Sequence, residues 1–356
     1  MKSTIFALTL ALALACPAAG QQPRLENARL ETRAVSGGLE HDFRSLVAAT
    51  SGPAWIGYGA GIVPGEHNMC CYSSSSGCCG GCRLEGGSSG SVTTPGESKV
   101  RLEGPRSLWV LFRVEQKRVE KIRAFTEDCL LDAGGLQFYW LTGVRPDESV
   151  ELLATFAAGA GQDAREERRL GDSAVAAIAF HADASADRAL ERFVESGQPE
   201  ALRERAAFWL GNARGRRGYE VLRRLASADP SERVREKVVF ALTQSKEPEA
   251  VTTMIDVARG DRSGRVRGQA LFWLAHKAGQ KAQQAISDAI DKDPETEVKT
   301  RAVFALSQLP PDEGVPLLIQ VARANRNPEV RKKAMFWLGQ SKDARALKFF
   351  EEILTR

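Results

Sequence analysis

The chain has 356 residues, which is enough for two domains. Its 49 lysine and arginine residues nearly balance 45 aspartate and glutamate residues, giving a formal net charge of +4. A charge this close to neutral gives no reason to expect a nucleic-acid partner, and the chain carries no acidic or basic tail.

The first twenty residues have the pattern of a secretory signal peptide. Lys2 is a short basic region, Ile5 to Ala15 is an apolar run, and Ala18-Ala19-Gly20 places small residues before a cut at Gln21. A membrane span needs about 20 apolar residues, so we expect none here. The mature chain is predicted to be exported, to a periplasm or outside the cell. Cys16 raises a lipoprotein alternative, although the leucine before it has the wrong offset.

The hydrophobic pattern of residues 28–145 predicts a small α+β domain with one helix and about five strands. Residues 21–27 read as a flexible start. The apolar residues Leu39, Phe43, Leu46 and Val47 fall on one face of a helix. The predicted strands are 28–34, 54–63, 108–114, 119–125 and 136–141, with Lys117-Arg118 as the turn of a hairpin.

Residues 65–98 are predicted to form a cysteine-rich loop, which ends in a run of glycine, serine and threonine. An exported chain with an even number of cysteines is expected to form disulfides. The interpretation we favour is therefore structural bonds, no tightly bound metal, and at least one bond from Cys129 to the loop. The six candidates are Cys70, Cys71, Cys78, Cys79, Cys82 and Cys129.

The same cluster leaves open a metal site or a thiol-redox site, because Cys79 and Cys82 have C-x-x-C spacing. The flanks contain only serine and glycine, with no βαβ unit, which argues against redox chemistry. The candidate metal ligands are His67, Cys70, Cys71, Cys78, Cys79 and Cys82. The other histidines, His41, His181 and His276, stand in no catalytic motif, and the sequence predicts neither catalytic residues nor a cofactor.

From residue 146 onward the sequence is helical and repeats with a period of 32. Phenylalanine recurs at every repeat, at Phe208, Phe240, Phe272, Phe304 and Phe336. Apolar columns such as Leu190, Leu222, Met254, Ile286, Leu318 and Phe350 follow the same period. A fixed period of this length predicts helix pairs that stack on one another and bury a continuous core, here over residues 146–356.

Each turn between paired helices carries Asp or Asn, followed six residues later by Arg or Lys after a valine. The residues are Asp229, Arg235, Asp261, Arg267, Asp293, Lys299, Asn325 and Arg331. Over residues 171–356 this pattern resembles the HEAT repeat family, in particular the short HEAT-like repeats of phycobilisome lyases. The fold is therefore expected to be mainly α, a HEAT-like solenoid preceded by the small α+β domain.

The resemblance implies that the turn aspartates and helix arginines form a hydrogen-bonded ladder along the solenoid. Lys299 and Asn325 depart from the pattern, and lysine cannot make the planar two-pronged contact, so a weaker ladder is expected there. An alternative is that the arginines face an anionic ligand.

Two further columns on the repeats have open interpretations. The position after each phenylalanine alternates tryptophan and alanine: Trp209, Ala241, Trp273, Ala305 and Trp337. The alternation favours interlocking core residues over an aromatic binding stripe. The column Arg205, Lys237, Gln269, Arg301 and Lys333 is either a solvated face or a weakly positive ridge for an acidic partner.

The function that the sequence favours is a non-catalytic scaffold that binds another protein. A metal-handling or redox protein using the cysteine loop is the main alternative. A lyase-like chaperone for a bilin chromophore is a third, although the export signal and the N-terminal domain do not fit it.

Overall fold

The computed structural model describes residues 22–65, 69, 82–85, 104–159 and 164–355. Within these residues the chain forms eight strands and fourteen helices, and all but one of the helices follow the strands. The predicted fold class, mainly helical with a preceding α+β region, is confirmed. The predicted signal peptide and most of the cysteine-rich loop, with His67, Cys70, Cys71, Cys78 and Cys79, lie outside the described residues.

The described strands form two sheets, one of five strands and one of three. The strands are β1 (Arg24–Glu26), β2 (Arg29–Ala34), β3 (Ala54–Gly61), β4 (Cys82–Arg83), β5 (Ser107–Glu115), β6 (Arg118–Thr126), β7 (Leu130–Asp132) and β8 (Gln137–Thr142). The larger sheet has the order β2-β8-β3-β5-β6, and the smaller one β1-β7-β4. β3 is antiparallel to β5 and parallel to β8, so the larger sheet is mixed.

The five-stranded sheet is buried on both faces. Along β5, Val110 and Phe112 point toward the helices, while Trp109 and Leu111 point toward the smaller sheet. This explains why 108–112 reads as a continuous apolar run without polar alternation before Arg113. Gly59 of β3 pairs with Trp109 of β5, and a Cβ on Gly59 would lie 2.5 Å from the indole.

The smaller sheet anchors part of the segment predicted to be an irregular loop. Cys82 pairs with Leu131 of β7, and both Cys82 and Leu84 are fully buried. Glu85 accepts hydrogen bonds from Trp55 Nε1 at 2.8 Å and from Arg113 Nε at 2.6 Å. Residues 82–85 are thus ordered by burial and by an ion pair, which the composition of the loop did not indicate.

The structure differs from the sequence prediction at two further places. Residues 24–26, predicted to be a flexible start, form β1 beside β7. The hairpin turn falls at Gln116-Lys117, one residue earlier than predicted, and both residues have positive φ. Two left-handed residues are what a tight hairpin needs to match the twist of its strands.

The helices begin with α1 (Leu39–Ala49) and α2 (Pro146–Ala157), which pack beside the sheet. The repeat helices are α3 (Ala164–Phe180), α4 (Ala184–Phe193), α5 (Glu200–Ala213), α6 (Gly215–Ala228), α7 (Glu232–Gln244), α8 (Glu249–Gly260), α9 (Gly264–Ala278), α10 (Gln280–Lys292), α11 (Thr296–Ser307), α12 (Pro311–Ala324), α13 (Pro328–Gln340) and α14 (Ala344–Leu354). The 32-residue period therefore corresponds to one helix pair.

From α3 onward, odd-numbered helices form one layer and even-numbered helices form another. The odd-numbered helices pack more closely against their neighbours in the layer than the even-numbered ones do. Small residues in the odd layer permit this, because Ala206, Ala270, Ala302 and Ala334 are all fully buried. Each helix pair is covered by the next, so the core continues from repeat to repeat.

The sheet and the repeats share one core. The end of β3 runs alongside the turn after α3, where Val63 N–H donates to Phe180 O and Ala182 N–H donates to Gly61 O, both at 2.9 Å. Helix α3 also packs against β6. One buried hydrophobic cluster extends from Leu39 to Phe349, so the N-terminal region is fastened to the first repeats.

We expect Gly211→Ala to destabilise the protein by about 1–3 kcal/mol, because overpacking forces helices apart. A Cβ on Gly211 would lie 2.2 Å from Ala241 O, where α5 approaches α7. Gly260→Ala is the matched control, since nothing lies within 4 Å of its Cβ position at the end of α8. That variant should be more stable by about 0.5–1 kcal/mol. Urea unfolding of both variants measures the difference, and a similar change in both would contradict the close helix approach.

Candidate binding surface on the helical repeats

Buried ion pairs connect three successive inter-helix turns. Arg235 donates to Asp261 through Nε at 2.8 Å and Nη2 at 3.0 Å, and Arg267 contacts Asp293 in the same way at 2.7 and 2.9 Å. Both side chains of the Arg235–Asp261 pair are at most 3% exposed. Each arginine also donates to the backbone carbonyl of the aspartate in its own turn, at Asp229 O and Asp261 O.

The pairing joins each arginine to the aspartate of the following repeat, 26 residues further on. The aspartate side chain also caps the start of its turn, as when Asp261 Oδ1 accepts from Ser263 N–H at 2.8 Å. One rung was missed: Arg203 contacts Asp229 through Nε at 3.0 Å and Nη2 at 3.2 Å. Arg203 follows leucine and has glycine at the turn position, so the Asp-to-Val-Arg motif did not detect it. Arg203 lies 32 residues before Arg235, one repeat period, and this spacing could have identified it as a member of the ladder.

The two-pronged contacts end after Asp293. Lys299 donates to Asp291 O at 2.9 Å and forms no hydrogen bond with Asn325 in the described part of the chain. Arg331 donates to Asn325 O at 2.8 Å and also to Arg326 O. The Asn325 side chain accepts from Asn327 N–H. A lysine followed by an asparagine thus leaves backbone contacts in place of a charged pair.

The guanidinium groups of these arginines already bind carboxylates of the protein itself. The pKa of the Arg267 guanidinium is raised above its ordinary value, chiefly by its hydrogen bond with Asp293, while burial opposes the rise. Burial works to raise the pKa of Asp293, but the bonds from Arg267 bring it below its ordinary value. These groups support the turns, and an anionic ligand would have to displace a buried carboxylate to reach them.

The outward side of the odd-numbered helices carries a continuous row of aromatic rings. Phe208 stacks on Phe240 with ring centroids 6.0 Å apart, and Phe272 stacks on Phe304 at 5.6 Å. Tryptophans link the pairs, since Trp273 lies 4.9 Å from Phe240 and Trp337 lies 4.8 Å from Phe304. We call this surface the aromatic face: Phe208, Trp209, Phe240, Phe272, Trp273, Phe304, Phe336 and Trp337.

The aromatic face is neither fully core nor fully exposed. Most of its rings are largely covered but keep some exposed surface, whereas Phe336 is 50% exposed. The alternating Ala241 and Ala305 are fully buried. The tryptophans therefore lie at the edge of the core. The indole N–H groups of Trp273 and Trp337 are shielded and meet no acceptor among the described residues. Leaving a donor unsatisfied costs stability, which is more typical of a functional surface than of an optimised core.

A groove of about 670 Å³ runs across the aromatic face over α7, α9 and α11. It is lined by Glu236, Lys237, Phe240, Arg265, Gly268, Gln269, Phe272, Trp273, Arg301 and Phe304. Most of the lining residues are aromatic or basic. Gly268 leaves room for the Arg301 side chain, because a Cβ on residue 268 would lie 2.5 Å from it. Its size lies in the range of natural ligand sites.

The charges around this groove are unevenly compensated. Glu236 is held by Arg265 at 2.6 Å, and Arg301 is held by Glu297 at 2.7 Å. Lys237 is exposed and has no ion-pair partner among the described residues. Lys333, two helices further along, lies 5.3 Å from the Phe336 ring centroid and 5.5 Å from that of Trp337. Neither lysine forms an ion pair with a carboxylate of the described ranges, so both add positive charge to the face.

The cysteine candidates divide into described and undescribed residues. Cys82 and Cys129 are buried in the small core between the two sheets, and Cys129 is disulfide-bonded. The remaining candidates lie outside the described residues, as does His67. Within the described ranges, no three His, Cys, Asp or Glu side chains lie together as a metal site.

A buried polar cluster joins the sheet to the first repeat helices. Ser149 Oγ lies 2.8 Å from His181 Nε2 and 2.9 Å from the Tyr58 hydroxyl. His181 Nδ1 lies 2.7 Å from Ala177 O, and burial lowers the pKa of His181 to about 4. No sequence motif connected these residues. Because all three are fully buried, the cluster has no access for a substrate and serves to fix the junction.

None of the helices in the described ranges is both long enough and apolar enough to cross a membrane.

Comparisons with known proteins concern the repeats. A family model described as HEAT repeats matches residues 172–275 and 283–356, together half of the chain. A comparison with curated proteins gave no match. The turn residues, the 32-residue helix pairs and this match agree in position.

Several solved structures are similar at low identity. One is from a study of Kap95p binding to RanGDP in nuclear import complex assembly, with 18% identity and a TM-score of 0.37, covering 55% of this chain and 30% of that one. Another is the CpcE–CpcF phycocyanin lyase complex of Nostoc sp. PCC7120, with 22% identity and a TM-score of 0.34, covering 45% and 100%. Human deoxyhypusine hydroxylase has 16% identity and a TM-score of 0.25, covering 58% and 90%. Since the HEAT repeat model matches half of its residues, this chain belongs to the HEAT repeat family.

Proposed function

We propose that this protein is an exported, non-catalytic scaffold that binds another protein through its aromatic face. The observation that carries the proposal is the row of half-buried rings on the outward side of the odd-numbered helices, with a groove across it. Aromatic residues are enriched where proteins bind one another, and rings partly buried in a rigid layer lose little entropy on binding. HEAT repeats commonly serve as protein-binding scaffolds, which agrees with this role.

Export is supported by the signal-peptide pattern of residues 1–20 and by the cysteine content of the mature chain. The disulfide at Cys129 fits an oxidising compartment. In this proposal the cysteine-rich loop is held by disulfides, with at least one linking Cys129 to the segment 70–82.

The state of the cysteines is a direct test of export and of the loop's role. We expect no free thiol in the mature protein, since six cysteines allow three bonds. The measurement is intact mass after alkylation without reductant, followed by peptide mapping, with reduced protein as the control. Alkylation at several cysteines, or stoichiometric zinc or copper, would instead favour the alternative of a metal-binding or thiol-redox protein.

Binding through the aromatic face can be tested by site-specific photo-crosslinking in the full chain expressed with its leader. A photoreactive amino acid at Gln269, inside the groove, should give an adduct with the same protein in replicate preparations. Arg223, exposed on α6 in the other layer, is the matched control position. Equal labelling from both positions, or no protein adduct from Gln269, would contradict a binding role for this face.

A further inference from the structure

We infer that the groove of the aromatic face takes an extended peptide segment of the partner protein that is rich in Asp and Glu and interspersed with apolar residues. The inference rests on the proposed function and names the chemistry of the partner. Three properties of the groove lead to it: the exposed apolar surface of its rings, its uncompensated charge, and the spacing of its repeats.

The rings of the aromatic face offer apolar surface to a ligand and hold a cation beside them. All of them are partly buried apart from the exposed Phe336, so each keeps an exposed apolar fraction. The Lys333 ammonium lies over two of the rings, 5.3 Å from the centroid of Phe336 and 5.5 Å from that of Trp337. The surface is therefore apolar with positive charge beside it, which suits a segment that carries both aliphatic groups and carboxylates.

The charged side chains add to this polarity. Lys237 and Phe240, three residues apart, are neighbours on one helix surface. Each phenylalanine of the face likewise stands three residues after a member of the column Arg205, Lys237, Gln269, Arg301 and Lys333. Glu236, the acidic residue of the groove lining, is already bound by Arg265. Lys237 and Lys333 meet no carboxylate among the described residues, so a partner carboxylate gains an interaction without displacing an internal one.

The spacing of the repeats fits an extended chain. Packed helices lie about 8–10 Å apart, and an extended peptide advances about 3.3 Å per residue, so one repeat matches about three residues. Lys237 and Lys333 are three repeats apart, about 27 Å by the same helix spacing, which about eight residues of extended chain would bridge. A segment with an acidic residue at every third position would place one carboxylate near each repeat, and those aligned with Lys237 and Lys333 would meet an unpaired cation.

The charges of the groove disfavour single-stranded nucleic acid as the occupant. Such ligands combine base stacking with a positively charged groove that follows the phosphate backbone. Here Arg265 and Arg301 are already paired with carboxylates, so Lys237 is the basic residue of the groove lining that stays unpaired among the described residues. A short acidic peptide segment does not need a continuous row of unpaired cations.

The test measures binding of labelled ten-residue peptides to the mature full-length protein by fluorescence anisotropy. One peptide has Glu at every third position among Leu and Ser, a second has Lys at those positions, a third has Gln, and a ten-nucleotide oligothymidylate is the fourth probe. We expect the Glu peptide to bind at least tenfold more tightly than any other probe, with an affinity that falls as salt rises. Equal binding of the Lys peptide, or tighter binding of the oligonucleotide, would overturn the inference.

Charge-reversed variants locate the effect. Lys237→Glu with Lys333→Glu should weaken the Glu peptide at least tenfold and strengthen the Lys peptide. Arg223→Glu with Arg224→Glu makes the same change in net charge on exposed residues of α6 and should leave both affinities within about twofold, because screened charges at that distance contribute little. All four positions are at least partly exposed, and circular dichroism melting checks that each variant folds. Equal losses in the two double variants would also overturn the inference.

Failure of this inference and failure of the proposed function give different results. Crosslinking at Gln269 could label one protein specifically through a neutral or basic segment of that protein. In that case the acidic-segment inference is wrong, and the proposed scaffold function stands. If neither crosslinking nor any peptide reports binding at this face, both are wrong.

Discussion

Arg267→Ala is expected to destabilise the protein by about 3 kcal/mol, because it leaves a buried carboxylate without its partner. Arg267 makes two hydrogen bonds to Asp293 and one each to Asp261 O and Glu295. The Asp293 side chain is only 6% exposed in the intact pair. Removing the guanidinium therefore strands a charge that water reaches poorly, and the carbonyl of Asp261 also loses a donor. Urea denaturation followed by far-UV circular dichroism measures the change.

Lys299→Ala is the matched control for this prediction. Lys299 occupies the same motif position one repeat later, yet its ammonium contacts only Asp291 O, and that contact is exposed. Its loss should cost less than about 1 kcal/mol, and Gln269→Ala less than about 0.5 kcal/mol. The double variant Arg267→Ala with Asp293→Ala should recover part of the loss, because no charge is then left unpaired. Similar losses at Arg267 and Lys299 would show that the two-pronged contact contributes nothing beyond a single bond.

The repeat architecture could be predicted because its information is periodic. A residue type that returns every 32 positions reports the same environment each time, so the helix pairs and their turns are visible without tertiary knowledge. Which arginine meets which aspartate was not visible. The resemblance implied a ladder along the solenoid, but the six-residue spacing does not say which repeat supplies the aspartate, and stacking brings Arg235 to Asp261 in the next repeat.

The aromatic face shows the same limit. The alternation of Trp209 and Ala241 was predicted to interlock within the core, and the structure buries the alanine but leaves the tryptophan half-buried. Periodicity identifies the side of a helix that a residue is on, but the curvature and spacing of neighbouring helices decide how far its ring is covered. The stacking of Phe208 on Phe240 depends on that spacing.

In the N-terminal region, local pattern located most strands but not their partners. The small sheet joins β1, β4 and β7, which are two or three residues long and separated by many residues in sequence. Segments this short carry too little alternation to be recognised. Glu85 was equally hidden, since its bonds to Trp55 and Arg113 connect positions about thirty residues apart.

The junction between the sheet and the repeats is expected to weaken in mild acid through His181. Burial, opposed by the hydrogen bond to Ala177 O, lowers the pKa of His181 from 6.5 to about 4, and the nearby Arg214 charge adds to the effect while Asp183 opposes it. A carbonyl can only accept, so the neutral ring donates through Nδ1 and leaves Nε2 facing Ser149. Protonation would place a charge in a site that is fully buried.

The sign of the pH dependence follows from the two pKa values. Above pH 6.5 the histidine is neutral in both states and costs nothing. Between pH 6.5 and about 4 the unfolded chain binds a proton that the folded chain does not, so the free energy of unfolding falls as the pH falls. The difference between the two pKa values corresponds to a loss of about 3 kcal/mol once the pH is below 4.

His181→Asn separates this effect from the general acid sensitivity of carboxylates such as Asp183 and Asp293, whose pKa values are lowered and whose contributions are lost at still lower pH. The variant should be less stable than the native chain at pH 7.5, because it loses packing in a filled site. Its stability should, however, fall by about 3 kcal/mol less between pH 6.5 and 4. Urea midpoints measured at half-unit pH steps give both curves. If the curves of the native chain and the variant stay parallel across this window, the histidine is not the group that couples acid to the junction.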